Sequence, residues 1–139
     1  MNNHWFTNTP LTQDGPVEFR YRLLLHGPYD AASAYRFGVE QNQPLVPLAA
    51  NTAPSTLPPV ALQNDRVAAT ILKSTDDGKG MIVRLRSLSE KAETVNLSWP
   101  SQTPRVVLIC DRGETPGTRE AKSTVSVPAR GFVTIYVGW

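Results

Sequence analysis

Cysteine is nearly missing. Cys110 is the only one in 139 residues, which excludes an internal disulfide and leaves a small residue of the kind that strands bury. Histidine is almost as scarce. His4 and His26 are the only two, and no Cys or His spacing gives them further good zinc ligands. Asp14 and Glu18 are the acids that would have to complete such a site in space. The simpler reading makes His4 a loop residue and His26 a strand-end residue. Charge of one sign is missing too: a net +2 spread along the chain is no basic footprint, so nucleic acid is not an expected partner. No apolar run approaches membrane-spanning length, so a membrane is not expected either. Met1-Asn2-Asn3-His4-Trp5 has neither a cationic start nor an apolar stretch, so no secretion signal is read there and a cytoplasmic location is expected. Gly113 and Gly117 lie between polar residues and not between a strand and a helix, so they form no phosphate loop, and no nucleophile elbow occurs. A glycosidase needs two carboxyl groups held at a fixed separation, and nothing in the sequence points to such a pair. The residues alone give no catalytic constellation, and the chain is not expected to be catalytic by itself.

Turn formers and short alternating runs are plentiful. Twelve prolines and nine glycines suit short strands joined by many turns. In Met81–Leu88, Met81, Val83 and Leu85 alternate with Ile82, Arg84 and Arg86, the period of a strand with one face in a core and the other wet or half-covered. The β-prone run Val67–Lys73 precedes it across Asp76-Asp77-Gly78-Lys79-Gly80, where Gly78 and Gly80 can supply positive φ, and the two runs read as an antiparallel hairpin. Four more short strands follow, at 94–99, 105–110, 123–127 and 132–137, the last pinning the C-terminus into a sheet. Between them, 111–122 reads as a solvated loop in which Asp111, Glu114 and Glu120 stand beside Arg112, Arg119 and Lys122. Asn96-Leu97-Ser98 matches a glycosylation sequon but lies on a predicted strand.

Upstream, residues 16–26 form the longest clean alternation: Val17, Phe19, Tyr21, Leu23 and Leu25 against Glu18, Arg20, Arg22, Leu24 and His26. This predicts a strand. Asp30 is placed to N-cap a short helix through Ala31–Gly38, closed by Gly38 or running a turn further to Glu40, and lying across the sheets. Five prolines in 43–64 (Pro44, Pro47, Pro54, Pro58, Pro59) predict an extended connection crossing one end of the sandwich. The expected fold is therefore mostly β: one antiparallel β-sandwich domain over 1–139, with one short helix and a long proline-rich connection. A chain this long buries roughly two-thirds of the surface its unfolded form exposes.

Residues 1–15 read as an amide-rich ordered loop. Asn2, Asn3 and His4 can hydrogen-bond sugar hydroxyls while Trp5 stacks on a pyranose face, which makes these four the carbohydrate-contact candidates; alternatively, Trp5 and Phe6 plug one end of the core.

The run Met1–Asn8, followed by Gly15-Pro16-Val17-Glu18-Phe19-Arg20-Tyr21-Arg22-Leu23, resembles a passage in the C-terminal region of bacterial α-mannosidases of glycoside hydrolase family 38. Ile71-Leu72-Lys73-Ser74 with Asp76–Leu85 looks like the same region further on, and Val127–Thr134 is similar to its closing strands. The proline-rich stretch and Asp111-Arg112-Gly113-Glu114 match nothing in that pattern. The resemblance implies a C-terminal β-sandwich of a larger enzyme whose partner is an N-terminal catalytic domain of the same polypeptide. In that family a zinc ion and an aspartate nucleophile hydrolyse α-mannosides with retention. Those residues belong to the catalytic domain, so no catalytic or metal residue and no cofactor is expected in this chain. The chain begins inside a motif, so preceding strands are expected to be missing, leaving an apolar edge or face uncovered through which copies can associate. The competing expectation is an independent carbohydrate-binding or protein-interaction module, suggested by Trp5, Trp99 and Trp139, with mannosides as the ligand.

Overall fold

The computed structural model describes residues 15–43, 47, 49, 51, 57–121 and 123–139. Asn2, Asn3, His4 and Trp5, with Phe6, Asp14, Lys122 and much of the proline-rich connection, lie outside the described residues.

Eight strands form two antiparallel sheets. The larger has the order β2(Val67–Ser74), β3(Gly80–Ser87), β8(Phe132–Gly138), β5(Val106–Cys110), β6(Pro116–Glu120). The smaller has the order β1(Ala61–Leu62), β4(Glu93–Ser98), β7(Thr124–Val127). The expected mostly-β antiparallel sandwich with one short helix is what the chain adopts.

The alternation decides the core. On β3, Met81, Val83 and Leu85 turn inward and meet Val137, Ile135 and Val133 across the β8 ladder. Facing them from the smaller sheet are Val95 and Leu97 of β4 and Val125 and Val127 of β7, with Ala121 and Val67 completing the cluster. Apart from Met81 and Ala121, these side chains are β-branched or leucine, which pack well on a pleated surface. Val107, Ile109, Trp99 and Trp139 are half-buried around the cluster. Trp139 also donates its indole N–H to the Gln102 carbonyl at 3.2 Å, which ties the chain end to the loop before β5.

The hairpin β2–β3 forms as its sequence predicts, with one slip: the register shifts between Ala69 and Ile71, a bulge. In its turn, Gly78 takes φ 68° as expected. Gly80 does not. It sits in the first pair of the β3–β8 ladder, opposite Gly138, and is needed because the Tyr136 ring and the Val137 carbonyl occupy the space a Cβ would take.

Three expectations are corrected. Residues 16–26 are not a paired strand: none of their backbone groups bonds to another described residue. The loop at 111–122 contains a strand, β6, whose five residues are all exposed and so carry no period-two signature. The helix α1(Ala31–Asn42) is capped by the Asp30 carboxylate, which accepts from the Ser33 amide at 2.8 Å, but it runs through Gly38 and past Glu40 to Asn42. It packs on the 16–26 segment, and its first turn approaches the sandwich, where Ala31 lines a crevice with Arg66, Leu88 and Ser89. Among the described residues no helix is long and apolar enough to cross a membrane.

Candidate functional site

The chemistry-bearing residues of the described chain gather on the outer face of the larger sheet. Side chains opposite the core alternate there: Ile71 and Lys73 of β2, Ile82, Arg84 and Arg86 of β3, Phe132, Thr134 and Tyr136 of β8. Ile82 and Thr134 are buried although no strand among the described residues packs over this face. Long neighbours close this face instead, and arginine and lysine stems do so while keeping their heads wet.

Arg84 is at the centre. Its Nε donates to the Thr134 hydroxyl at 3.0 Å, its second terminal nitrogen donates to Glu114 Oε1 at 2.9 Å, and its guanidinium stands 5.4 Å from the centre of the Phe132 ring. Lys73 reaches the other Glu114 oxygen at 2.5 Å. One carboxylate therefore bridges two cations from adjacent strands.

Glu114 arrives from the β5–β6 connection by an uncommon backbone route. The Asp111 carbonyl accepts from the Glu114 amide at 3.2 Å, and the Asp111 amide donates to the Thr115 carbonyl at 3.0 Å. This closes a short hairpin loop whose last position, Glu114, is left-handed at φ 67°. Glycine or asparagine usually takes that conformation, because a Cβ there crowds the backbone. Here the strain accompanies a side chain aimed back over the sheet to Lys73 and Arg84. The sequence reading makes this loop solvated; the turn signal is Asp111-x-Gly113 followed by Glu114, but the distant cations are assigned only by the strand order.

The hydrogen bond from Lys73 holds the Glu114 carboxyl below the usual carboxylate range; burial opposes it, and the charges of Lys73 and then Arg84 add to the lowering. A carboxylate so held is a poor proton donor. Cys110, half-buried at the end of β5, has its thiol pushed up by burial and then by the negative charges of Asp111 and Glu114. A raised thiol is a weak nucleophile. A shallow trough of about 420 Å³ runs beside it, lined by Cys110, Asp111, Arg112, Phe132 and Thr134. The arrangement has the chemistry of a fixed charged surface, with no paired acid and base.

Glu114 also sets a pH dependence. Because its folded pKa is depressed, the stabilisation it gives is present above the unfolded carboxylate pKa and is lost as pH falls through the lower folded value. Urea midpoints measured from pH 6 down to pH 3 (about the range over which carboxylates protonate) are expected to fall for the wild-type chain. In Glu114→Gln they are expected to start lower and fall less. Parallel curves would refute this assignment.

The remaining candidates are dispersed. His26 is exposed, with Nδ1 2.8 Å from the Gly27 carbonyl oxygen, and Glu18 pairs with Arg20 at 2.7 Å. The sequon residue Asn96 lies on β4, its side-chain oxygen accepting from the Thr124 hydroxyl at 2.9 Å. Trp99 and Trp139 are half-buried and pack against the core cluster. No group of three or more His, Cys, Asp or Glu is gathered as for a metal among the described residues.

No family model, curated protein or solved structure matches the chain.

Proposed function

We propose that the chain is a non-catalytic C-terminal domain of an α-mannosidase, a glycoside hydrolase of carbohydrate metabolism, which it shapes and stabilises. What supports this reading is the resemblance, in order along the chain, of Met1–Asn8 with Gly15–Leu23, then Ile71–Ser74 with Asp76–Leu85, then Val127–Thr134, to the C-terminal region of family 38 enzymes. An antiparallel sandwich suits that position. So does a polar cluster in which the best-placed carboxylate is neutralised by Lys73 and Arg84. The partner is the N-terminal catalytic domain of the same enzyme, which would hold the zinc ion; a cytoplasmic location belongs to the same reading.

The test uses a bacterial family 38 enzyme truncated before the region this chain resembles. Added in trans, the chain is expected to raise the melting temperature of the truncated enzyme and its zinc-dependent turnover of a chromogenic α-mannoside, while releasing no product alone. Zinc-dependent hydrolysis by the isolated chain would overturn the reading. Calorimetry with mannosides addresses the carbohydrate-module alternative: saturable binding abolished by Trp5→Ala would favour that module over the accessory domain.

A further inference from the structure

Where β5 ends, the larger sheet carries hydrogen-bond donors that the described chain leaves unused. The ladder between β5 and β8 stops at Ile109 and Ile135, so Phe132 and Val133 at the start of β8 have no strand partner on that side. On the other side of β8, the Ser87 amide donates to the Gly131 carbonyl at 2.9 Å, one position from the opposed residues Arg86 and Phe132. Bonded and unbonded pairs alternate along an antiparallel ladder, so Phe132 turns its N–H away from β3. That N–H points to the side where β5 has stopped and finds no acceptor among the described residues. The trough beside Cys110 lies there, and Phe132 lines it. Two more donors line it. The hydroxyl of buried Thr134 accepts from Arg84, but its own proton has no acceptor among the described residues. Arg112 enters no ion pair among the described residues. It stands on the loop that the bonds between Asp111 and Thr115 close and that Glu114 ties to the sheet.

We propose that this trough binds a small monocarboxylate with an apolar body. The carboxylate takes the Phe132 amide and the Arg112 guanidinium, with the Thr134 hydroxyl as the deepest donor. Charge selects the head of the ligand. Four cations, Lys73, Arg84, Arg86 and Arg112, stand around the trough against two carboxylates, Asp111 and Glu114. That excess suits one negative charge, while Asp111 on the trough itself repels a doubly charged group such as phosphate. The lining selects the body. Ile109, Pro128 and Val133 surround the donors, and the Phe132 side chain is 51% exposed beside them. At about 420 Å³ the trough is within the size range of small-molecule sites. Binding needs little ordering, because two ion pairs already hold the loop that presents Arg112. The inference goes beyond the accessory-domain reading and does not rest on it: Asp111-Arg112-Gly113-Glu114 is a stretch that matches nothing in the family 38 pattern.

Amide-resolved NMR on the full chain, titrated with sodium 3-phenylpropionate, tests it. The amides of Phe132 and Arg112 are expected to shift saturably, with half-saturation at about 1 mM, the scale for so small a ligand. The uncharged 3-phenylpropionamide is expected to bind about tenfold more weakly, since it loses the charge-assisted bonds. Inorganic phosphate is expected to bind more weakly than the acid. Arg112→Gln, at an exposed position, should weaken binding about threefold. Thr134→Val, which removes a buried donor, should weaken it about tenfold. Native amide shifts for Val95 and Val125 on the smaller sheet confirm that both variants keep the sandwich. No saturable shift in the wild type would overturn the proposal, whether the trough is closed to ligands or filled by the chain itself. So would equal binding of acid and amide, phosphate binding as tight as the acid, or wild-type affinity in both variants. Acetyl-Ala-Phe carries the same group on a peptide end; tighter binding by it than by the acid would overturn the small-molecule assignment in favour of a chain terminus.

Discussion

Leu85→Ala is expected to remove about 3 kcal/mol of unfolding free energy, inside the roughly 2–5 kcal/mol that truncating a buried leucine costs. Leu85 is fully buried on β3, the second strand of the larger sheet, between Ala69 and Val133 on its neighbours and under the inner face of β4 and β7. The loss has two parts, the lost transfer of apolar atoms from water and the cavity left behind. The second part should be large here because strand pairing on both sides resists collapse. A domain of this kind has about 5–15 kcal/mol in total, so the variant keeps its fold with a sharply reduced margin. Urea unfolding should show a lower midpoint with an unchanged slope. Leu72→Ala is the control: Leu72 is half exposed, and its truncation should cost much less. Equal losses at the two positions would mean that the sandwich interior is not where the alternation of β3 puts it.

That alternation was legible because β3 sets Met81, Val83 and Leu85 on one face and Arg84 and Arg86 on the other, so period two survives in the sequence. Where a strand lacks two different faces, nothing survives. β6 runs Pro116-Gly117-Thr118-Arg119-Glu120, exposed throughout, and is held by its pairing with β5 and not by burial. The opposite failure occurs at 16–26, where the period is the cleanest in the chain but the segment pairs with no edge among the described residues. Alternation reports the environment a segment is suited to, and not which strand it pairs with. The helix shows a third case. Its start was readable from Asp30 and the alanines after it, whereas its end depended on Gly38, which a helix tolerates at roughly 1 kcal/mol relative to alanine. The Lys73–Glu114–Arg84 cluster could not be read at all. Its members are far apart in sequence, and only the order β2-β3-β8-β5-β6 brings the β5–β6 loop back over β2 and β3.

Gly80→Ala is expected to be the most damaging single-methyl change, costing about 1–3 kcal/mol as overpacking does in a close-fitting site. A Cβ at Gly80 would stand 2.5 Å from Cε2 of Tyr136 and 2.6 Å from the Val137 carbonyl oxygen. The two obstacles differ in kind. The Tyr136 ring lies over Gly80 and also reaches Gly138, its partner across the ladder, and a side chain can swing away. The Val137 oxygen belongs to the β8 backbone, and moving it disturbs the β3–β8 pairing that joins the hairpin to the rest of the larger sheet. The expected pattern follows. Tyr136→Ala alone removes a half-buried ring and destabilises by its lost packing. Gly80→Ala added to it should still cost more than half of what it costs in the wild type, because the carbonyl remains. Thermal unfolding of the four proteins in this cycle measures the coupling directly. If Gly80→Ala became harmless once the ring was gone, the ring alone would be what excludes a side chain, and β8 would have to yield at its C-terminal end far more readily than a strand paired on both sides should.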